Sequence, residues 1–188
     1  MVTLYVEGGG DGAALKAACR RGFSEFLGNA GVRSKPRIVA CGTRRHACER
    51  FCLAVEAGDT AYLLVDSEAA IAPKYQKDGK DRWLPWRHLK ERQGDGWYKP
   101  STAENRHCHL MVQCMESWFI ADAATLGRFF GQGFLPNQLP TAANGVEDIP
   151  KTDVYRALKA ATKDCRTKAP SAKATILSSS FPSSTRRW

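Results

Sequence analysis

Apolar positions along the chain fall into short unbroken runs separated by helical stripes. Residues 2–7, VTLYVE, are mostly branched or aromatic and end on Gly8-Gly9-Gly10, which predicts a buried strand meeting a turn. Asp11 is placed to cap a helix reaching about residue 29, because Ala14, Leu15, Ala18, Cys19, Phe23 and Leu27 share one face. Residues 37–40, RIVA, predict a second strand closed by Gly42, and a second helix follows over about 43–57, stopped by Gly58-Asp59. Residues 61–65, AYLLV, are nearly all apolar, as a central strand covered on both faces should be. Strands alternating with helices in this way predict an α/β fold of Rossmann-like type: a mostly parallel sheet with right-handed crossovers, flanked by helices.

Residues 69–107 break that rhythm. Trp83, Trp86 and Trp97 stand there among Lys74, Lys77, Lys80, Arg82, Arg87, Lys90 and Arg92, with Pro, Gly and Asp between them. The segment reads as an insertion on the strand edge, its rings pinning it to the body, with stacking on nucleic-acid bases as the alternative use. Regular pattern resumes with an expected strand over 109–115, an apolar helix over 116–130 and a last helix over 151–165. Residues 1–165 therefore form the expected domain, and 166–188 a basic, Ser-rich tail without Asp or Glu. Such a composition buries too little apolar surface to order itself.

Composition sharpens this picture in three respects. At 188 residues, 43% hydrophobic and 25% charged, the chain is long enough for one real core. No apolar run approaches the roughly 20 residues of a membrane span, so a soluble protein without membrane contact is expected. The seven cysteines are scattered, and the opening residues lack the regions of a signal peptide; both predict reduced thiols and a cytoplasmic location. The net charge of +9 is uneven: residues 1–150 balance to +2 and residues 151–188 to +7. A basic tail on a near-neutral body suits either nucleic acid or an acidic partner. Arg44 and Arg45, at the start of the second predicted helix, and Lys168 and Lys173 in the tail are the candidate phosphate contacts, against solvated charge as the plainer reading.

The candidate chemistry lies with the acids. Ligands of an open parallel sheet bind beyond the carboxyl ends of its strands. Glu7 ends the first strand, Asp66 ends the third, and Glu68 follows two residues later on the same side. Glu116 follows the fourth predicted strand in an otherwise apolar stretch, where a carboxylate is costly unless paired or bound to a cation. Hard cations such as Mg2+ or Mn2+ take carboxylate oxygens, and such an ion can stabilise charge on a phosphoryl group and activate water. A metal site requires Glu7, Asp66 and Glu68 to converge within roughly 4–8 Å at one end of the sheet. Gly8-Gly9-Gly10 lacks the Lys-Ser/Thr of a P-loop, which argues against ATP hydrolysis within this chain. The spacing of His46, Cys48, Cys52, His107, Cys108, His109 and Cys114 fits no standard zinc motif.

These residues also carry a resemblance. Glu7-Gly8-Gly9-Gly10-Asp11 is similar to the E-G-x-x-D start of Toprim domains, and Val65-Asp66-Ser67-Glu68 resembles their D-x-D element. Met115-Glu116-Ser117-Trp118-Phe119-Ile120-Ala121-Asp122 looks like the E-x-W-x-x-A-D element of the prokaryotic family called domain of unknown function 4276, and Cys41-Gly42-Thr43-Arg44 and Leu110-Met111-Val112-Gln113 add to the likeness. It spans about residues 1–160. It implies a Toprim-like fold related to the nuclease domains of overcoming-lysogenization-defect proteins, and pairing with a separate ABC- or SMC-like ATPase in antiphage defence. It further implies that Glu7 serves as general acid/base or metal ligand, that Asp66, Glu68 and Glu116 hold the metal, and that Asp11 and Asp122 orient the ligands. Two departures stand out. The second acid of D-x-D is Glu68, whose longer side chain reaches roughly 1 Å further. The family's later lysine-glycine-x-histidine-serine-phenylalanine-like element is matched only by Lys168-Ala169-Pro170 and Lys173-Ala174-Thr175.

The reading drawn from all this is a Mg2+- or Mn2+-dependent nuclease acting on DNA or RNA, the effector of a defence pair. The rival is a Toprim-like binding subunit without catalysis that regulates or scaffolds its ATPase partner. Assembly into a homo-oligomer stays open.

Overall fold

In the computed structural model, which describes residues 1–75, 84–141 and 145–166, four short strands lie side by side in one parallel sheet. They are β1 (Thr3–Val6), β2 (Arg37–Ala40), β3 (Ala61–Asp66) and β4 (Cys108–Met111), in the spatial order β2-β1-β3-β4. Thr3 pairs with Arg37 on one side and Ala61 on the other, and Leu63 pairs with Cys108. The chain therefore leaves β1 for one neighbour and later returns to its other side. The gap between β1 and β3 is the point where the winding reverses, which in such folds opens a crevice at the carboxyl ends.

Two apolar layers follow from the alternation of side chains across the strands. On one face Leu4, Val6, Ile38 and Ala40 pack with Cys19 and Phe23 of helix α1 (Ala13–Asn29). The same layer takes in α4 (Glu116–Ile120), α5 (Ala123–Phe130) and α6 (Lys151–Ala161), through Phe119, Leu126, Val154 and Leu158. On the other face Leu63 and Val65 meet Ala47, Phe51 and Val55 of α2 (Arg44–Glu56), together with Trp86 and Leu89 of α3 (Pro85–Glu91). Thr43 caps α2 by accepting the His46 amide at 3.2 Å.

Several expected elements take a different form. Asp11 does not cap α1; the cap position is Gly12, and Asp11 is exposed in the turn before it. The fourth strand ends at Met111 rather than 115. The single helix expected over 116–130 is two helices, because Asp122 draws the Thr125 amide (2.9 Å) and hydroxyl (2.6 Å) onto its carboxylate and starts a new helix there. The last helix ends at Ala161. The stretch 69–107 contains α3 and single turns at Pro73–Tyr75 and Asn105–His107. Trp86 pins it to the body: it is buried, stacks on Phe51 at 5.7 Å between centroids, and its indole N–H donates to the Glu104 carbonyl at 3.2 Å. Trp83 and nearly all of the tail, with Lys168 and Lys173, lie outside the described residues. Among the described residues no helix is long and apolar enough to cross a membrane.

Candidate metal centre

The carboxyl edge of β1 and β3 assembles the site. Past Val6 the chain keeps its ladder for one more residue, the Glu7 amide donating to the Leu64 carbonyl at 3.0 Å. It then turns sharply through the three glycines. Gly9 has φ +84°, and a Cβ there would lie 2.9 Å from the Lys16 backbone; Gly42 has φ +79°, and a Cβ would lie 2.8 Å from the Gly10 carbonyl. Both positions demand glycine. Reciprocal bonds between Gly8 and Gly42, at 2.9 and 2.8 Å, hold the turn against the entry to α2. This fixes Glu7 beside Asp66 and Arg44 beside both.

Glu7 and Asp66 are buried, and each carboxylate is oriented by backbone. Glu7 Oε2 accepts the Asp66 amide at 2.8 Å, and Asp66 Oδ1 accepts the Met115 amide at 3.0 Å. Glu68 sits at φ +64°, a left-handed conformation that costs a non-glycine residue on the order of 1 kcal/mol or more. Its amide donates to the Gln113 carbonyl at 2.8 Å, so the loop after β4 holds the turned backbone in place. The turn returns the Glu68 side chain to the sheet edge. One ligand atom from each of Glu7, Asp66 and Glu68 lies within 4.8 Å of the others, inside the span that the sequence reading required. All three donors are hard carboxylate oxygens, and the cluster could hold a metal ion.

Glu116, expected as a further ligand, is not one of the three acids that converge. It is buried at the start of α4 and accepts the Tyr155 hydroxyl at 3.2 Å. Burial, with the Glu116 carboxylate next in weight, pushes the Tyr155 phenol well above its ordinary value, so it remains a donor. Burial also pushes the neighbouring Cys114 thiol up to about 11. The side-chain bonds of Asp122 to Thr125 make it the cap of α5, and Asp11 lies at the exposed rim.

Two cations share the acids. Arg44 Nε donates to the Asp66 carbonyl at 3.0 Å and lies 3.7 Å from Glu7 and 3.9 Å from Glu68. The rest of its guanidinium forms a fork with Asp95, at 2.5 and 2.9 Å, and sits 4.9 Å over the Trp97 ring. Burial works against its charge, but the Asp95 hydrogen bonds and the surrounding carboxylates outweigh that and hold it protonated. Arg44 is therefore part of the site rather than an open phosphate contact. Arg45, by contrast, is exposed and pairs with Glu49 at 2.9 Å. The second cation is Lys151, whose Nζ is 2.7 Å from Glu68 Oε2 and 3.3 Å from Asp66 Oδ2. An open cleft of about 1240 Å³ runs from Glu7 past Gly10, Thr43 and Arg44 to Trp97.

Lys151, Tyr155 and Asp95 escape the sequence reading. Asp95 sits between two glycines in a basic stretch, a weak signal. Lys151 occupies the first turn of α6, where a cation opposes the helix dipole and needs a carboxylate partner; that is the physical clue to it. All seven cysteines are free thiols, and Cys48 and Cys108 are buried in the layer under α2.

Comparison with known proteins yields one match. A family model described as Domain of unknown function (DUF4276) matches residues 6–180, running past residue 160 into the basic segment that holds Lys168 and Lys173. Searches of curated proteins and of solved structures return no match.

Proposed function

The chain belongs to the domain of unknown function family DUF4276, and for it we propose metal-dependent hydrolysis of phosphodiester bonds in DNA or RNA. The observation that carries this reading is the convergence of Glu7, Asp66 and Glu68 at the carboxyl edge of two adjacent parallel strands. The order of motifs supports a Toprim-like relation, and with it the role of effector beside an ABC- or SMC-like ATPase in antiphage defence. Glu7, Asp66 and Glu68 would hold Mg2+ or Mn2+, while Glu116 accepts the Tyr155 hydroxyl. A bound ion of this kind supplies charge stabilisation at the phosphoryl oxygens and a water of lowered pKa. Arg44 keeps Glu7 and the Asp66 backbone in register. The cleft beside Gly10 and Thr43 gives a strand room to approach. In the reaction a water oxygen bonds to phosphorus as the bond to the leaving oxygen breaks, giving a phosphomonoester end and a hydroxyl end.

The test is cleavage of mixed DNA and RNA by the full chain with Mg2+ or Mn2+ and with chelator, in the presence and absence of the partner ATPase. Glu7→Gln and Asp66→Asn preserve volume and remove a charged ligand, so each should lower cleavage by at least about 100-fold while the protein stays folded. Full activity in both variants sinks the assignment. A second reading has its own observation: Lys151 and Arg44 already neutralise much of the carboxylate charge, as a binding subunit without catalysis would require. Metal-independent binding to the ATPase with no cleavage under any condition would favour it.

A further inference from the structure

We infer that this site takes a single divalent cation, with the Lys151 ammonium standing where a second metal ion would sit. The inference rests on the metal-dependent reading above and goes beyond it by fixing the stoichiometry and adding a residue to the site. Two-metal hydrolytic centres hold their ions about 3.5–4 Å apart across shared carboxylates. Asp66 and Glu68 are the acids placed to bridge such a pair, and Lys151 takes one oxygen from each, at 3.3 and 2.7 Å. Their other oxygens are also engaged: Asp66 Oδ1 with the Met115 amide, and Glu68 Oε1 with Arg44 at 3.9 Å. A bridging pair of ions would require the ammonium to leave both carboxylates.

Lys151 is not a loose surface chain that could easily do so. Its side chain is only 20% exposed. Helix α6 is docked by Val154, Leu158 and Ala161, all buried. Tyr155 ties the next turn to Glu116, and Gln113 Nε2 donates to the Glu147 carbonyl at 3.1 Å just ahead of the helix. The ammonium is thus delivered by packed structure, and its opposition to the helix dipole is offset by the two carboxylates it meets.

Charge is compatible with the same arrangement. Asp95 is matched by Arg92 at 3.1 Å as well as by Arg44. With that pair set aside, and with Glu116 left to the Tyr155 hydroxyl outside the converging trio, Glu7, Asp66, Glu68 and an incoming phosphodiester carry as many negative charges as Arg44, Lys151 and one divalent ion carry positive ones.

Titration of the full chain with Mn2+, followed by the loss of free Mn2+ signal in electron paramagnetic resonance and by calorimetry, decides the matter. Sites are counted as those abolished by Asp66→Asn. Wild type and Lys151→Arg should each bind one ion, and Lys151→Gln, which keeps the stem without the charge, should bind two. Two such sites in wild type, or one in a folded Lys151→Gln, overturns the inference while leaving the metal site standing. No Mn2+ bound by any of the three overturns the metal-dependent reading itself, and the inference with it. The wild-type count alone is decisive should the glutamine variant fail to fold.

Discussion

Glu68 shows most clearly how a single residue divides stability from function. Its φ of +64° belongs to glycine or asparagine, yet a long acidic side chain occupies it, and that side chain ends on Lys151 and beside Arg44. A backbone strained at this spot persists because the Gln113 carbonyl fixes it, and it serves to bring a carboxylate back over Asp66. Glu68→Gly should then relieve about 1 kcal/mol of backbone cost, offsetting the lost ion pair with Lys151, which retains Asp66 as a partner. The expected result is a melting temperature equal to or above that of wild type together with loss of Mn2+ binding. A clear fall in melting temperature would show that the carboxylate contributes more to the fold than the strain costs. Sequence alone marks Glu68 as a candidate ligand because it lies two residues past a strand end. It does not reveal the left-handed turn, since nothing in Ser67-Glu68-Ala69 marks one.

At the scale of elements, the readable parts are those whose pattern is local. The all-apolar run of β3 carries its structure in consecutive residues, and Thr43 announces its helix by its own hydroxyl. The stripe expected on α1 holds only in part: Cys19 and Phe23 are buried, but Ala14 and Leu15, read onto the same face, are exposed. The strand order is different in kind, because periodicity says that a segment is a strand but not which strand it pairs with. Lys151 is hidden for the same reason: more than eighty residues separate it from Asp66 and Glu68, and only the docking of α6 joins them. The segment between β3 and β4 is intermediate. Its tryptophans signal a packing role, but α3 and the Arg44–Asp95 fork emerge only in three dimensions. Trp86→Ala should cost about 3–5 kcal/mol in denaturant unfolding, since it removes a buried ring stacked on Phe51 and its bond to Glu104. Trp97→Ala, half-buried under a guanidinium that keeps Asp95, should cost about 1 kcal/mol. Equal losses would mean that the segment is held by the Arg44 side rather than by α3.

For the molecule as a whole, the pattern of buried titrating groups sets a limit at high pH. The acids of the site are held by backbone donors and cations, whereas the cysteines are mostly sealed in apolar layers. Burial pushes the thiols of Cys41, Cys108 and Cys114 upward, and hydrogen bonding to Cys52 together with burial does the same for Cys48; Cys52 shifts down, through that shared bond. The unfolded Cys114 thiol loses its proton near 9.0, while the folded one keeps it to about 11. Between those values the unfolded state holds fewer protons than the native state, so stability falls as pH rises and is unaffected below the window. For Cys114 the loss by pH 10 is about 1.4 kcal/mol, one unit's worth of differential binding. Melting temperature measured with reductant from pH 8 to 10 should therefore decline steadily in wild type. It should decline less steeply in Cys114→Ala, which replaces the thiol by a methyl group and leaves Ser117 without its sulfur contact. Parallel slopes in the two proteins would mean that the buried thiol does not govern alkaline stability.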